Sequence, residues 1–255
     1  DWNSDVCSSD LDGDGDTASA PLQIGGAFSF RDDGPSIVAG NAGGAVEEEG
    51  LASGNRDSSD LAGINAATPL TATGMLAGFA AFGADGVATG GFSLDATALN
   101  SLTTQNLASG GVALSYAIAG DTLTAKAGTN DIFTLQINGT GGYTFNLLGH
   151  LDHAAVAGEN TLNIDFGGVV TVTDDDGDSV HLSGTPGSSG ANFVITVQDD
   201  IPVAVDIART TSSNPALNIA GVLTDGAGAG FGADGGWVQV VNVNGAIYQY
   251  EIGRA

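Results

Sequence analysis

The sequence predicts an all-β protein, built as an antiparallel β-sandwich. Three observations carry that expectation. Short runs alternate apolar and polar residues at period two, the spacing that turns one face of a strand toward a core. Glycine is abundant, at 41 of 255 residues, and Asn-Gly or Gly-Asp pairs punctuate the runs. Only residues 72–82, "ATGMLAGFAAF", could pass for a helix, and Gly74 and Gly78 argue against a long one.

The strands follow in order. "LQIGGAFSF" (22–30) is an early apolar run. "GGVALSYAIAGDTLTAKAG" (110–128) reads as a hairpin turning near Gly120 and Asp121. In "DIFTLQINGTGGYTFNLLG" (131–149), Phe133, Leu135 and Ile137 share one face, while Thr134 and Gln136 take the other. After the turn "NGTG", Tyr143, Phe145 and Leu147 repeat the pattern, which makes a second hairpin. "GGVVTVTDDDGDSVHLSG" and "ANFVITVQDD" add strands, as do "PVAVDIA" and "GGWVQVVNVNGAIYQYE", the last turning at Asn244 and Gly245. Short β-branched strands with frequent turns suit a sandwich.

Charge narrows the function. Thirty acids face five bases, a formal net charge of −25, so phosphate backbones and anionic membranes are repelled. Divalent cations are the natural partners of clustered carboxylates. One cysteine allows no disulfide within the chain, so stability must come from packing and metal. The scarcity of Cys and Lys beside plentiful Gly, Ala, Thr, Asp and Asn reads as extracellular and bacterial. No apolar run approaches the ~20 residues that span a bilayer. No basic and apolar leader stands at the start, so export is expected to use a signal outside this chain.

An internal repeat organises the chain. "RDDGPSIVAG" (31–40) resembles "QDDIPVAVDI" (198–207), with Asp32, Asp33 and Pro35 each 167 residues before Asp199, Asp200 and Pro202. An acidic glycine turn lies upstream of each, "DGDGDT" (12–17) and "DDDGDS" (174–179). "FGADG" at 82–86 returns at 231–235, 149 residues on. The expected organisation is the tail of one repeat at 12–33, one complete repeat at 34–200 and the start of the next at 201–251.

The acidic turns are the candidate chemistry. Asp174, Asp176 and Asp178 alternate around Gly177, as Asp12, Asp14 and Asp16 do around Gly13 and Gly15. Oxygens so placed suit Ca²⁺, which takes six to eight at about 2.3–2.6 Å. No glutamate closes the loop at its twelfth position, so it is no EF-hand. The missing oxygens are expected from Asp32 and Asp33, from Asp199 and Asp200, and from Glu47 and Glu49 of "EEEG", where one repeat's acids close a site begun by its neighbour. Asp-Gly turns are also ordinary solvated hairpin tips, and Asp85 and Asp234 read as turn residues of that kind. His150 and His153 in "HLDH", with no cysteine cluster, do not make a zinc site on spacing alone. No Gly-x-Ser-x-Gly elbow or phosphate loop occurs, and the acids sit in repeated turns rather than as one catalytic pair; no enzyme is expected.

Taken together, "DDGP", "VEEEGL", "FGADG", "IFTLQINGTGGYTFNLLGHLDH", "VTVTDDDGDSVHLSG" and "VITVQDDIPVA", in that order, resemble the long β-rich repeats of RTX-type giant adhesins, exported by bacterial type I secretion. The resemblance covers residues 12 to about 250. It implies an Ig- or cadherin-like sandwich repeat, with truncated neighbouring repeats at both ends. It also implies calcium that stiffens the string, neighbouring repeats of the same chain as partners, and a role in cell adhesion and biofilm formation at the cell surface. The Gly-Gly-x-Gly-x-Asp nonapeptides and the secretion signal of that family are missing. Glycans or cell surfaces would be met through other domains. Two alternatives are a carbohydrate- or cell-binding module and an accessory domain of a secreted hydrolase; low aromatic content, 6%, weighs against the first.

The ends stand apart. "DWNSDVCSSDL" (1–11) resembles a translated sequencing-adapter oligonucleotide, and "IGRA" (252–255) its reverse-strand counterpart. Both are expected to be non-biological caps. Trp2 and Cys7 are then expected to carry no function, and Asp10 is not counted as a ligand.

Overall fold

The computed structural model describes residues 5–11, 13–23, 29, 31–55, 64, 67–155, 158–184, 190–202, 233–234, 240–243 and 246–249. The described residues are mostly strand with little helix, so the protein is all-β. It divides into two compact units, Asp1–Asp33 and Gly34–Ala255.

The first unit holds an antiparallel hairpin of β1 (Asp5–Leu11) and β2 (Thr17–Gln23), joined through the acidic turn. The expected cap at 1–11 thus contributes a strand.

The second unit begins with β3 (Ser36–Ile37), β4 (Gly40–Glu47), β5 (Thr71–Met75) and β6 (Ala80–Ala81). β7 (Val87–Leu94), one helical turn α1 (Asn100–Thr103) and β8 (Ala108–Ser109) follow. Next come β9 (Val112–Ala119), β10 (Thr122–Ala127), β11 (Asn130–Ile137) and β12 (Gly142–Leu147). β13 (Thr161–Asp165), β14 (Val170–Asp174), β15 (Ser179–His181) and β16 (Ala191–Gln198) complete the larger sheets, before a hairpin of β17 (Val240–Val243) and β18 (Ala246–Gln249). A six-stranded antiparallel sheet runs β5-β12-β11-β10-β9-β8, and two three-stranded sheets run β13-β16-β4 and β15-β14-β7.

Both central hairpins form where the alternation places them. Phe133 faces Leu147, Leu135 faces Phe145 and Ile137 faces Tyr143 across β11 and β12. All six are buried, as cross-strand partners on one face must be. Asn138 makes the turn, its Oδ1 accepting the N–H groups of Thr140 at 3.1 Å and Gly142 at 2.9 Å. β9 and β10 join through Gly120 and Asp121, with Gly120 at φ +62°. β14–β15 and β17–β18 pair as the alternation implies; "PVAVDIA" lies outside the described residues apart from Pro202. Residues 72–82 are not helical. β5, a 3₁₀ turn at Ala77–Phe79 and β6 occupy them, because edge pairing of β5 with β12 outweighs weak helix propensity.

Aromatic rings join the sheets into a sandwich. Phe133 and Phe145 of the six-stranded sheet lie 5.9 and 6.0 Å from Phe166, which lies 5.7 Å from Phe193 of β16. Tyr143 closes the contact at 4.7 Å from Phe193. Each buried phenylalanine stabilises by about 1.5–3 kcal/mol through area alone.

One pairing breaks the antiparallel rule. β4 runs parallel to β16, from Gly40 opposite Ala191 to Glu47 opposite Gln198. Glycine makes that approach possible. A Cβ on Gly43 would stand 1.8 Å from the Val194 carbonyl oxygen, and its φ is +143°. The Tyr143 hydroxyl donates to the Gly43 carbonyl at 2.8 Å, pinning the strand to the other sheet. Gly43→Ala should therefore cost about 3 kcal/mol of unfolding free energy in urea titration. Gly78→Ala, with nothing within 4 Å of the added carbon, should leave the midpoint unchanged.

Candidate metal centres

Two acidic groups in the second unit have the makings of cation sites. The first is the turn after β14. Asp174 ends the strand fully buried, its Oδ1 accepting the N–H groups of Gly177 at 3.2 Å and Asp178 at 2.8 Å. Its Oδ2 is buried without a hydrogen-bond partner. Gly177 supplies the positive φ, +105°, that folds the turn back. One oxygen each from Asp174, Asp176 and Asp178 lie within 4.8 Å of one another. Burial, then the Asp176 carboxylate, pushes the Asp174 pKa up. The Asp175 N–H donates to the Gly86 carbonyl at 3.2 Å, which seats the "FGADG" turn alongside. Converging carboxylates of this kind hold either a proton or a hard cation.

The turn of the first unit has the same local conformation. Leu11 pairs with Thr17, and Thr173 with Ser179, so each hairpin encloses five residues. Gly15, at φ +99°, stands where Gly177 does. Asp14 and Asp16 are exposed there, and Asp12 lies outside the described residues. Asp32 and Asp33, also exposed, end the first unit; the Asp33 N–H donates to Asp32 Oδ1 at 3.0 Å.

The second group arises from the parallel pairing. With Glu47 opposite Gln198, the acids that follow each strand meet at one end of the sandwich. A strand would turn alternate residues of "EEE" outward. Here the chain leaves β4 into a 3₁₀ turn at Glu48–Gly50, and Glu47, Glu48 and Glu49 are all buried. Glu48 Oε1 accepts the Leu151 N–H at 2.7 Å and lies 3.3 Å from His153 Nε2. Its Oε2 is buried without a hydrogen-bond partner. Asp199, half-buried, completes a set with Glu48 and His153 whose ligand atoms all lie within 4.8 Å. Asp200 Oδ2 accepts the N–H groups of Asn55 at 3.0 Å and Ala233 at 2.6 Å, tying two loops to the end of β16. Beside them, His150 forms an ion pair with Asp234.

Burial dominates the electrostatics of this group. It pushes the Glu48 pKa up despite the opposing pull of His153 and the Leu151 N–H. Burial alone would lower the His153 pKa, but the hydrogen bond and charge of Glu48 outweigh it and the net shift is upward. Asp199 and Asp200 are also pushed up by burial.

The proposed ligands therefore fall into separate places. Asp174, Asp176 and Asp178 converge in one turn, while Glu47, Glu49, Asp199 and Asp200 gather at the end of β4 and β16. Spacing missed Glu48 and His153. Three consecutive acids cannot all face inward from a strand, and the imidazole comes from 105 residues away. The two histidines of "HLDH" go to different carboxylates, so their spacing says nothing of a shared ion. Asp234 is a turn residue, as read from sequence, and an ion-pair partner too. Comparison with protein-family models, with curated proteins and with solved structures finds no match.

Two outcomes follow. Glu48, Asp174, Asp199, Asp200 and His153 all titrate above their ordinary values in the folded protein. Their stabilisation is full below the ordinary values and is lost as pH rises through the raised ones. Metal-free protein should melt higher at about pH 5 than at about pH 7.5. Asp95 and Asp121, held down by hydrogen bonds to Thr97 and Gln136, change stability only below their ordinary value of 3.8, outside this window. Asp200→Ala should cost about 2 kcal/mol and speed hydrogen exchange at the Ala233 and Asn55 amides, as one buried and one half-buried donor lose their acceptor.

Proposed function

We propose that the chain is a calcium-stabilised extender repeat of a large secreted or surface-attached bacterial adhesin, structural rather than catalytic. The observation that carries this reading is the turn at Asp174, Asp176 and Asp178. A fully buried carboxylate oxygen without a partner stands there among two further carboxylates, and every nearby ligand is oxygen. Ca²⁺ suits such a set; softer metals gain nothing from it.

Topology supports the extender role. The first long strand of the second unit and its last large-sheet strand are parallel neighbours. The chain thus arrives at one end and departs at the other, roughly 23 Å on at about 3.3 Å per residue over seven steps. Units of that polarity can be strung head to tail. Calcium that binds the folded turn and not the unfolded chain converts binding energy into folding energy. In a calcium-poor cytosol the same acids repel one another, which keeps the chain loose for type I secretion. Outside the cell the ion then stiffens a string of repeats that serves adhesion and biofilm formation.

Thermal unfolding of the full chain tests this. Calcium at about 100 times its Kd adds about 2.7 kcal/mol, a rise in Tm of about 5–10 °C over chelator-stripped protein. Asp174→Asn should remove most of that rise. A Tm that ignores calcium would refute the proposal.

A further inference from the structure

The group formed by Glu48, His153 and Asp199 differs in kind from the oxygen-only turn. We propose that these three residues form a second metal site that selects a borderline divalent cation of the zinc class through an imidazole nitrogen. The site is separate from the calcium turn and does not depend on that reading.

Three features carry it. The first is ligand chemistry. Ca²⁺ and Mg²⁺ take oxygen, whereas imidazole nitrogen with two carboxylates suits Zn²⁺ and its neighbours. The second is geometry. His153 Nε2 and Glu48 Oε1 stand 3.3 Å apart, long for a charged hydrogen bond. That separation matches the edge of a tetrahedron, about 3.3 Å, around a metal with bonds of about 2.0–2.1 Å. One ligand atom each of Glu48, His153 and Asp199 lies within 4.8 Å of the other two, so the three side chains can converge on one ion. The third is the state of the buried atoms. The Glu48 side chain is 0% exposed and the His153 side chain 3%. Glu48 Oε2 and His153 Nδ1 are both enclosed without a hydrogen-bond partner. A buried polar atom left in that condition costs free energy, and a cation held by both oxygens of Glu48 would recover the cost at Oε2.

Charge agrees with the assignment. Two carboxylates and a neutral imidazole carry −2, which a divalent ion neutralises without any further base. Three protein ligands leave a fourth position of the tetrahedron to water. The site also explains why a histidine sits in a pocket of acids: an all-oxygen calcium site has no use for it.

Isothermal titration of the chelator-stripped full chain with Zn²⁺, in the presence of saturating Ca²⁺, tests the proposal. One zinc should bind, and His153→Gln should weaken it by more than about tenfold, the least that losing even an outer-shell partner gives. His150→Gln, whose ring faces Asp234, should leave zinc affinity unchanged. Asp174→Asn should remove most of the calcium response and spare the zinc. Unchanged zinc affinity in His153→Gln, or displacement of the zinc by millimolar Ca²⁺, would overturn the assignment. If His153→Gln fails to fold, the half-buried Asp199→Asn replaces it, with the imidazole ¹⁵N resonances of the unmodified chain as a second readout. Zinc must move the His153 resonances; no movement refutes the site. The calcium reading fails separately, by a Tm that does not respond to Ca²⁺.

Discussion

The parallel pairing of β4 with β16 is the constraint on which the rest depends. Had the strands run antiparallel, the acids after β4 and those after β16 would lie at opposite ends of the sheet. Parallel, they converge, and Glu48 meets Asp199 across 151 positions of sequence. The same pairing sets the polarity of the unit, because a chain that starts and finishes on parallel neighbours must arrive and depart at opposite ends. Gly43 permits it. Its backbone passes so close to Val194 that no side chain fits, and the Tyr143 hydroxyl binds its carbonyl from the facing sheet. One glycine thus links the core to the acidic end.

The core and the acidic groups act in opposite directions. Phe133, Phe145, Phe166 and Phe193 join the sheets by area and ring contact alone. The carboxylates at both acidic sites are held where burial disfavours their charge. A protein with 30 acids and five bases has few internal counter-charges to offer. At the end of β4 and β16 the imidazole of His153 is the nearest one, and at the β14 turn backbone N–H groups take its place. On the proposed reading, stability is tied to what the solution supplies, protons or divalent ions. That suits a molecule proposed to remain loose in one compartment and stiffen in another.

Much of this was legible in the sequence, for local reasons. Alternation at period two specifies which face of β10, β11 and β12 is buried, and Asn138 specifies the turn between the last two. The five-residue acidic turns were legible as well, since Asp and Gly at those positions encode their own backbone. Residues 72–82 were ambiguous because small apolar residues suit helix and strand alike, and pairing with β12 settled the matter. The candidate ligands of the second group were half legible. Glu47 and Glu49 stand out as a run, but Glu48 is the one brought against His153, because a 3₁₀ turn abolishes the alternation that would have pointed it outward.

By itself the sequence determined the all-β class, the hairpins, the acidic turns and a formal net charge of −25. Each depends on residues within a few positions of one another, where propensity and periodicity act directly. Only the tertiary structure decided the direction of β4 against β16, the burial of three consecutive glutamates and the meeting of Glu48, His153 and Asp199. Alternation reports the face of a strand and not its direction. Groups some 100 residues apart meet only when two sheets close over a shared core.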